Sequence, residues 1–263
     1  LETVIIVNAA STEAYHTQTE THASIDDFCR GIGSNSPHIG PAQLYAFAAI
    51  SSGCGYVNFT PSLGAEIPAL RELANEKRVA IAGKDGKTGQ TLMKTALAQL
   101  FASKGLHVAG WFSTNILGNK DGEVLDDPES FRSKEKTKGD VLPGILGYET
   151  DHKVRIEYFK PKGDDKEAWD AITIQGILGL PMEIRVNFMC KDSPLAAGVI
   201  LDVARLIECA VRHGKYGVQD QLGMFFKAPH AKAAGGRVEH AYFRQEGIFK
   251  DWARKVAYGV EYK

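Results

Sequence analysis

The chain has 263 residues, with 31 lysines and arginines against 32 aspartates and glutamates, so its formal net charge is −1 at pH 7. Such a balance creates no field that would draw nucleic acid or a membrane surface to the protein, and we expect neither as a partner. Hydrophobic residues make up 44% and charged residues 24% of the chain, which is typical of a globular protein with one large domain or two interleaved ones.

The four cysteines are scattered and form neither a metal-ligand pair nor a disulfide pattern, so we expect a reducing, cytoplasmic setting. No apolar run approaches the ~20 residues that span a bilayer. The chain begins at Leu1, yet residues 4–7 (VIIV) already have the pattern of a buried strand in a parallel sheet. A domain rarely opens in mid-sheet, so we expect the natural protein to continue upstream.

The first third of the chain alternates between strand and helix patterns. Strands are predicted at residues 4–7, at the start of the GYVNFTPS segment and at 78–82, and helices at 25–31, 41–50 and 67–77. This alternation predicts a parallel α/β sheet.

The segment VAIAGKDGKTGQTLMKTALAQLF, residues 79–101, predicts a strand, a loop rich in glycine and lysine, and a helix. A helix N-terminus after such a loop favours an anion. The nucleotide-triphosphate pattern G-x-x-x-x-G-K-[ST] is broken, because Ile81 stands where its first glycine should be. The G-x-G-x-x-G fingerprint fails as well. Taken alone, this loop is a strand-to-helix turn whose glycines provide the backbone freedom.

The middle of the chain has a different pattern. Strands are predicted at 107–113, 153–159 and 183–189, with a turn-rich loop over TNILGNKDG and a helix from 166 to about 178. A long helix follows Ser193, the expected N-cap, and a last helix is predicted at 243–256. The layout predicts an α/β domain at 1–91, an α+β insertion at 92–195 and a return to the first domain at 196–263.

Several charged side chains stand beside loop or helix-start signals and could meet in one pocket: Asp85, Lys134, Lys138, Lys166, Asp192 and Lys227. Lysine binds phosphate as a point charge, and a buried lysine can also move protons or stabilise an enolate. Simpler readings stay open, because SKEKTK is typical of a solvated surface and Lys227 in MFFKAPH could bury only its stem. Asp192 could serve only the helix dipole.

Other chemistries find less support. Asn115 and Asn119 in TNILGNKDG could be simple turn residues. The eight histidines show no H-x-x-x-H spacing of metal ligands. A G-x-S-x-G elbow is absent from the sequence, so nucleophilic hydrolysis is not supported.

Eight fragments, taken in order, resemble the inositol-phosphate synthase family. They are VNAASTE, YVNFTPS, AGKDGKTGQTLMKT, TNILGNKDG, FRSKEKTK, KPKGDDKEAWD, CKDSPLAAGVILD and FFKAP. In the same order they are similar to the family's W-T-A-N-T-E, I-N-G-S-P-Q, G-D-D-x-K-S-G-Q-T-x-x-K, N-H-L-G-N-N-D-G, F-R-S-K-E-x-S-K, K-P-x-G-D-S-K, C-E-D-S-L-L-A-A-P-x-x-x-D and L-K-A-P. The resemblance covers nearly the whole chain.

The resemblance implies a Rossmann-like α/β domain that binds NAD, with an inserted α+β domain for catalysis and oligomerisation. The NAD domain would be incomplete at its N-terminus, because the family's glycine-rich pyrophosphate loop has no counterpart here. The implied reaction converts glucose 6-phosphate to myo-inositol phosphate by oxidation, enolisation, intramolecular aldol closure and reduction. The family is typically tetrameric, so a homo-oligomer is expected. A monovalent or divalent cation as a second cofactor, and any metal ligands, stay open.

Residue roles follow only from the motif match. The implied catalytic residues are Lys134, Lys138, Lys166, Lys227, Asp85 and Asp192. The implied substrate-binding residues are Asn115, Asn119 and Ser133. The implied cofactor-binding residues are Ala10, Ser11, Asn58 and Thr60, again with Asp85 and Asp192. Which lysine binds phosphate, stabilises the enolate or transfers protons is not assigned.

Three positions depart from the family pattern: Lys84 replaces an aspartate, Ile116 a histidine and Lys120 an asparagine. These departures favour a first alternative, a diverged NAD-dependent cyclase or isomerase acting on another sugar phosphate. A second alternative is a non-catalytic assembly module without the cofactor loop. The retained lysines argue against it, because a scaffold has no need of them.

Overall fold

The computed structural model describes residues 3–125, 141–233 and 235–259. The strands are β1 (Ile5–Asn8), β2 (Gly55–Asn58), β3 (Ala80–Gly83), β4 (His107–Leu117), β5 (Asp151–Tyr158), β6 (Asp165–Gln175), β7 (Pro181–Lys191) and β8 (Gly217–Val218). The α-helices of the described residues are α1 (Ile25–Gly33), α2 (Pro41–Ser51), α3 (Pro68–Glu76), α4 (Gln90–Ser103), α5 (Lys120–Leu125), α6 (Val141–Leu146), α7 (Asp192–Arg212) and α8 (Tyr242–Tyr258).

The first sheet is parallel throughout, with the strand order β1-β2-β3-β8. Its side chains alternate between two faces, as the strand period of two requires. Tyr56 and Ile81 pack into the core beside α1, α2 and α3, whereas Val57 and Ala82 pack against α7 and α8. Helices therefore cover both faces, which confirms the predicted Rossmann-like α/β architecture.

The second sheet is mixed, with the order β5-β4-β6-β7. β4 runs parallel to β5 and antiparallel to β6, and β6 is antiparallel to β7. Helices α4 and α6 cover one face, where Phe101, Trp111, Leu142 and Ile172 form the core. All four strands lie inside the predicted insertion, although the domain boundaries themselves stay a prediction.

The helix predicted from Lys166 to about Leu178 is wrong, because this segment is β6. Its alternate residues Ala168, Asp170, Ile172 and Ile174 are buried on one face of the sheet. β-branched and aromatic residues favour a strand at these positions, and pairing with both β4 and β7 outweighs the helix-like spacing.

Two smaller predictions also need correction. TNILGNKDG is not a loop throughout, because β4 continues to Leu117 and so contains Asn115. Ser193 is not the N-cap of α7, which begins at Asp192 with Lys191 as its cap. The Ser193 hydroxyl instead donates a 2.6 Å hydrogen bond to the Asp164 carboxylate.

Candidate functional site

A cavity of about 430 Å³ lies at the carboxyl ends of the parallel strands, where the end of the second sheet meets them. Residues that follow β1, β2 and β3 form one wall, and the start of β6 and the first turns of α7 form another. Its lining residues are Ala9, Ala10, Ser11, Thr12, Phe59, Thr60, Pro61, Asp85, Gly86, Thr88, Asn119, Lys120, Lys166, Asp192, Ser193, Ala196, Ala197, Ile200 and Lys227. The carboxyl edge is where open α/β sheets bind ligands.

The first ion pair in the cavity joins Asp85 to Lys227. The Lys227 Nζ atom lies 2.8 Å from Asp85 Oδ1, and the two side chains are 17% and 5% exposed. The second carboxylate oxygen of Asp85 is buried and accepts no hydrogen bond from a described residue. A buried acceptor of this kind favours a ligand donor, because an unsatisfied polar group is costly.

Backbone hydrogen bonds hold this pair in place. The segment after β3 runs beside residues 225–230: Lys227 N donates to Asp85 O at 2.6 Å, and Ala228 N donates to Lys84 O at 3.2 Å. Asp85 N in turn donates to Thr60 O at 2.9 Å. We call residues 83–87 with 225–230 the ribbon. It joins the loop that follows β2 to the C-terminal part of the chain.

The second ion pair joins Lys166, at the start of β6, to Asp192, at the start of α7. Their Nζ and Oδ1 atoms are 3.1 Å apart, and both side chains are 18% exposed. Asn119 Nδ2 lies 3.4 Å from the other oxygen of Asp192. Strand register brings these residues together, because Lys166 pairs with both Leu117 and Cys190. Two of the lysines that line the cavity, Lys166 and Lys227, are thus each paired with a carboxylate that lines it too.

Most of the residues proposed from sequence line this one cavity: Ala10, Ser11, Thr60, Asp85, Asn119, Lys166, Asp192 and Lys227. Ser133, Lys134 and Lys138 lie outside the described residues. Asn58 and Asn115 do not line the cavity.

Asn58 is fully buried, and its side chain forms hydrogen bonds within the loop that follows β2. Its Nδ2 donates to Ser62 O at 2.8 Å, while its Oδ1 accepts from the hydroxyl and the backbone N–H of Thr60. It thereby shapes the loop that presents Thr60, so direct contact with a cofactor is not supported. Asn115 is also buried, and its Nδ2 donates to Gln90 Oε1 at 2.5 Å.

The three departures from the family pattern lie in different surroundings. Lys84 does not line the cavity and forms a 2.7 Å ion pair with Glu66. Ile116 does not line the cavity, whereas Lys120 does and pairs with Glu123 at 2.8 Å. Only Lys120 therefore changes the charge at the cavity itself.

Sequence reasoning missed two residues close to the cavity, Phe59 after β2 and Lys87 after β3. Phe59 lines the cavity and packs so closely on Gly86 that a Cβ there would collide with its ring. Lys87 is buried, which lowers its pKa to about 7, and its ammonium donates to Gln245 Oε1 at 2.8 Å. The dense lysines of GKDGKTG were the available signal for Lys87, but nothing in the sequence indicates which of them is buried.

Glu66 anchors the ribbon through its contacts with Lys84 and His230. Burial opposes its ionisation, but the Lys84 ammonium and the His230 ring overcome this effect and hold the pKa of Glu66 below its usual value. A folded-state pKa below the unfolded value of about 4.3 stabilises the fold above pH 4.3, and this contribution is lost as the pH falls through the folded-state pKa.

We expect Glu66→Gln to lower the free energy of unfolding by about 3 kcal/mol at pH 7, because it leaves the partly buried Lys84 ammonium without its counter-charge. The loss should shrink as the pH falls below about 4. Urea unfolding at a series of pH values measures it, with the exposed Glu72→Gln as control. An equal effect of Glu66→Gln at all pH values would contradict the assignment.

The described ranges lack both a cluster of metal ligands and a helix that could cross a membrane. Across the described ranges, His, Cys, Asp and Glu side chains form no group of three or more that could hold a metal ion. Among the helices of those ranges, none has the length and apolar character needed to cross a membrane.

Comparison with known proteins relates the chain to inositol-phosphate synthases. Residues 89–193 match the model of the family described as myo-inositol-1-phosphate synthase. The chain is 46% identical to inositol-3-phosphate synthase 1 of Bacteroides thetaiotaomicron, over 97% of this chain and 61% of that protein. It is 32% identical to inositol-3-phosphate synthase 1 of Bos taurus, over 97% of this chain and 49% of that protein.

Two solved structures share the fold of this chain. The inositol-3-phosphate synthase of Caenorhabditis elegans matches with a TM-score of 0.90 and 31% identity, over 97% of this chain and 53% of that one. A myo-inositol-1-phosphate synthase-related protein of Thermotoga maritima matches with a TM-score of 0.85 and 27% identity, over 98% of this chain and 67% of that one. The chain therefore spans between about half and two thirds of these relatives.

Proposed function

Because the chain belongs to the myo-inositol-1-phosphate synthase family, we propose that it carries the catalytic part of an NAD-dependent inositol-3-phosphate synthase, an isomerase of inositol biosynthesis. Its substrate would be glucose 6-phosphate. One observation carries the proposal: two lysines from distant segments, Lys166 and Lys227, face the same cavity, each beside a carboxylate.

The proposed chemistry needs cations at defined atoms. An enolate oxygen develops when a proton leaves the carbon beside a ketone, and a second oxyanion develops when the aldehyde accepts the new carbon–carbon bond. Ammonium groups in a partly buried cavity stabilise such charges more strongly than water does. Asp85 and Asp192 would hold Lys227 and Lys166 in orientation, and either carboxylate could accept a proton from its lysine. We propose Lys134 and Lys138, with Ser133, as further groups that bind the phosphorylated substrate.

Two buried polar groups of the cavity wall, one hydroxyl and one carboxylate oxygen, support a dinucleotide cofactor there. NAD, when bound, would supply an oxidation and a later reduction at one carbon of the substrate. The buried Thr12 hydroxyl and Asp85 Oδ2 have no hydrogen-bond partner among the described residues, and both belong to residues of the cavity wall. We propose that Ala10, Ser11 and Thr60 hold the cofactor from the carboxyl edge of the parallel sheet.

We propose a homo-oligomer, as expected from the family, in which the second sheet is the contact. The hairpin between β6 and β7 supports this, because Ile177 and Leu178 are 82% and 93% exposed. Exposed apolar groups of this size mark interaction sites. Light scattering tests the assembly, and a monomer at micromolar concentration would contradict it. A cytoplasmic location is proposed from the four free cysteines.

Phosphorus NMR of glucose 6-phosphate incubated with the chain and NAD tests the function. An inositol phosphate signal is the expected result. If the signal is absent with this chain and with a full-length version of the protein, the proposal is wrong. Turnover of a different sugar phosphate would then favour the diverged cyclase or isomerase, for which Lys120 at the cavity wall is the specific observation.

A further inference from the structure

One wall of the cavity is formed by a segment without regular secondary structure. Residues 9–19 follow β1 and belong to no helix or strand, yet residues 9–12 line the cavity. Among the described residues, no hydrogen bond between two backbone groups involves residues 9–18. The position of this wall therefore depends on hydrogen bonds that involve side chains. We call residues 9–12 the wall segment.

Glu13, the residue directly after the wall segment, connects it to two other elements. Its backbone N–H donates to the Ser62 hydroxyl at 3.0 Å, and its Oε1 atom accepts from the backbone N–H of Ala42 at 2.8 Å. Ser62 belongs to the loop that follows β2, and Ala42 to the first turn of α2. Glu13 thus ties one end of the wall segment to the body of the α/β domain.

The bond to Ala42 is a helix cap supplied from a distant part of the chain. A helix N-terminus leaves backbone N–H groups without partners, and a side-chain oxygen commonly accepts from one of them. The N-cap residue of α2 is Gly40, which has no side chain to do so. Glu13 accepts instead, from 29 positions away. The wall segment is therefore fixed to a helix and not only to another loop.

Gly40 leaves the space that this carboxylate occupies. A Cβ atom at position 40 would lie 2.8 Å from Glu13 Oε2, which is buried, and 3.2 Å from the ring of His16. The backbone angles of Gly40, φ −88° and ψ 165°, are ones that any residue adopts. The glycine is therefore needed at this position for space and not for backbone freedom.

The Ser62 contact joins the wall segment to the neighbouring part of the same wall. Ser62 N donates to Thr60 Oγ1 at 3.2 Å, and Thr60 lines the cavity. The two loops that follow β1 and β2 are thus held together at the cavity. Lys166 and Lys227, by contrast, are held by their own carboxylates on other segments.

We propose that Glu13 is a positioning residue for the cofactor: by capping α2, it holds Ala10 and Ser11 in the place from which they contact the dinucleotide. Without the cap, the wall segment spends only part of the time in its binding conformation, and the apparent affinity for the cofactor falls by that fraction. Sugar phosphate binding at Lys166 and Lys227 does not depend on this contact. The inference rests on the proposed function and deepens it.

The test measures NAD binding by calorimetry in the wild type and in Glu13→Ala. It uses this chain or its full-length form, whichever the phosphorus NMR assay shows to be active. Glu13→Ala should bind NAD about tenfold more weakly, as expected for one lost hydrogen bond to an acidic side chain. The KM for NAD should rise by the same factor, whereas kcat and the KM for glucose 6-phosphate should stay unchanged.

A conservative variant separates the hydrogen bond from the charge. Glu13→Gln should bind NAD as the wild type does, because its amide oxygen can still accept from Ala42 N. Burial raises the pKa of the Glu13 carboxyl, so the site does not favour a charge and a neutral amide suits it. Glu20→Ala, which removes an exposed carboxylate further along the chain, is the matched control and should also behave as the wild type does.

A further variant breaks the same contact from the side of the helix. Gly40→Ala places a Cβ atom against Glu13 Oε2 and displaces the carboxylate, so it too should weaken NAD binding about tenfold. The double variant Glu13→Ala with Gly40→Ala should bind NAD no more weakly than Glu13→Ala alone, because both changes remove one and the same contact. The test therefore does not depend on the folding of one variant.

The inference is overturned, with the proposed function intact, if folded Glu13→Ala or Gly40→Ala binds NAD as tightly as the wild type. It is also overturned if Glu13→Gln fails as Glu13→Ala does, if the two losses add in the double variant, or if the KM for glucose 6-phosphate rises in parallel. If the wild type binds neither NAD nor glucose 6-phosphate, the proposed function fails, and the inference fails with it.

Discussion

Lys227→Met should reduce the rate of inositol phosphate formation by about 10³-fold, because it removes a cation placed to stabilise developing negative charge or to move a proton. It should also lower the free energy of unfolding by about 3 kcal/mol, since Asp85, only 5% exposed, loses its counter-charge. Phosphorus NMR of the reaction and urea unfolding measure the two effects separately.

The double variant Asp85→Asn with Lys227→Met separates catalysis from stability. It removes both charges, so most of the lost stability should return while the activity stays low. Lys250→Met, an exposed lysine of α8 that pairs with Glu246, should change neither quantity. If the double variant recovers both stability and turnover, Lys227 has a structural role only.

Lys166→Met should reduce turnover by about 10²- to 10³-fold with a loss of stability near 1 kcal/mol or less, because the Lys166–Asp192 pair is 18% exposed on each side and partly screened by solvent. Lys166→Arg keeps the positive charge but gives up a proton far less readily. We expect it to bind glucose 6-phosphate normally and to turn it over slowly, which calorimetry and the NMR assay measure together.

A matched control lies close by. Lys162 forms a 2.7 Å ion pair with Glu167, and its side chain is 23% exposed, much like that of Lys166, yet Lys162 does not line the cavity. Lys162→Met should therefore retain wild-type turnover. Equal losses in the Lys162 and Lys166 variants would show that the effect comes from β6 and not from the cavity.

The sequence predicted the parallel α/β sheet better than it predicted the strands of the second sheet. Alternation of apolar strands and amphipathic helices gave the parallel sheet correctly, because each segment carries its own period. β6 was mistaken for a helix because Trp169, Ile172 and their neighbours also fit helical spacing. What decides their structure is pairing with β4 and β7, which are distant partners that no local pattern reveals.

The same contrast holds for the candidate site: residues in recognisable motifs were predictable, whereas those that depend on distant contacts were not. Resemblance to family motifs pointed to Asp85, Lys166, Asp192 and Lys227, and all four line one cavity. The buried contacts that hold the surrounding segments in place were not predictable. Glu66 holds the ribbon from a loop that no motif marks, and Asp170 reaches Gln90 across 80 positions of sequence. Such contacts depend on how whole sheets meet, so they become visible only in three dimensions.

The ribbon also has a consequence for the order in which the molecule folds. Asp85 and Lys227 are 142 positions apart, and the residues between them include all four strands of the second sheet. Closing so long a loop costs chain entropy before any contact offsets it, so such contacts tend to form late. During synthesis, the cavity cannot close until residue 230 has left the ribosome. An early-folding second sheet would shorten the effective loop, and the ribbon would then join the two parts in a final step.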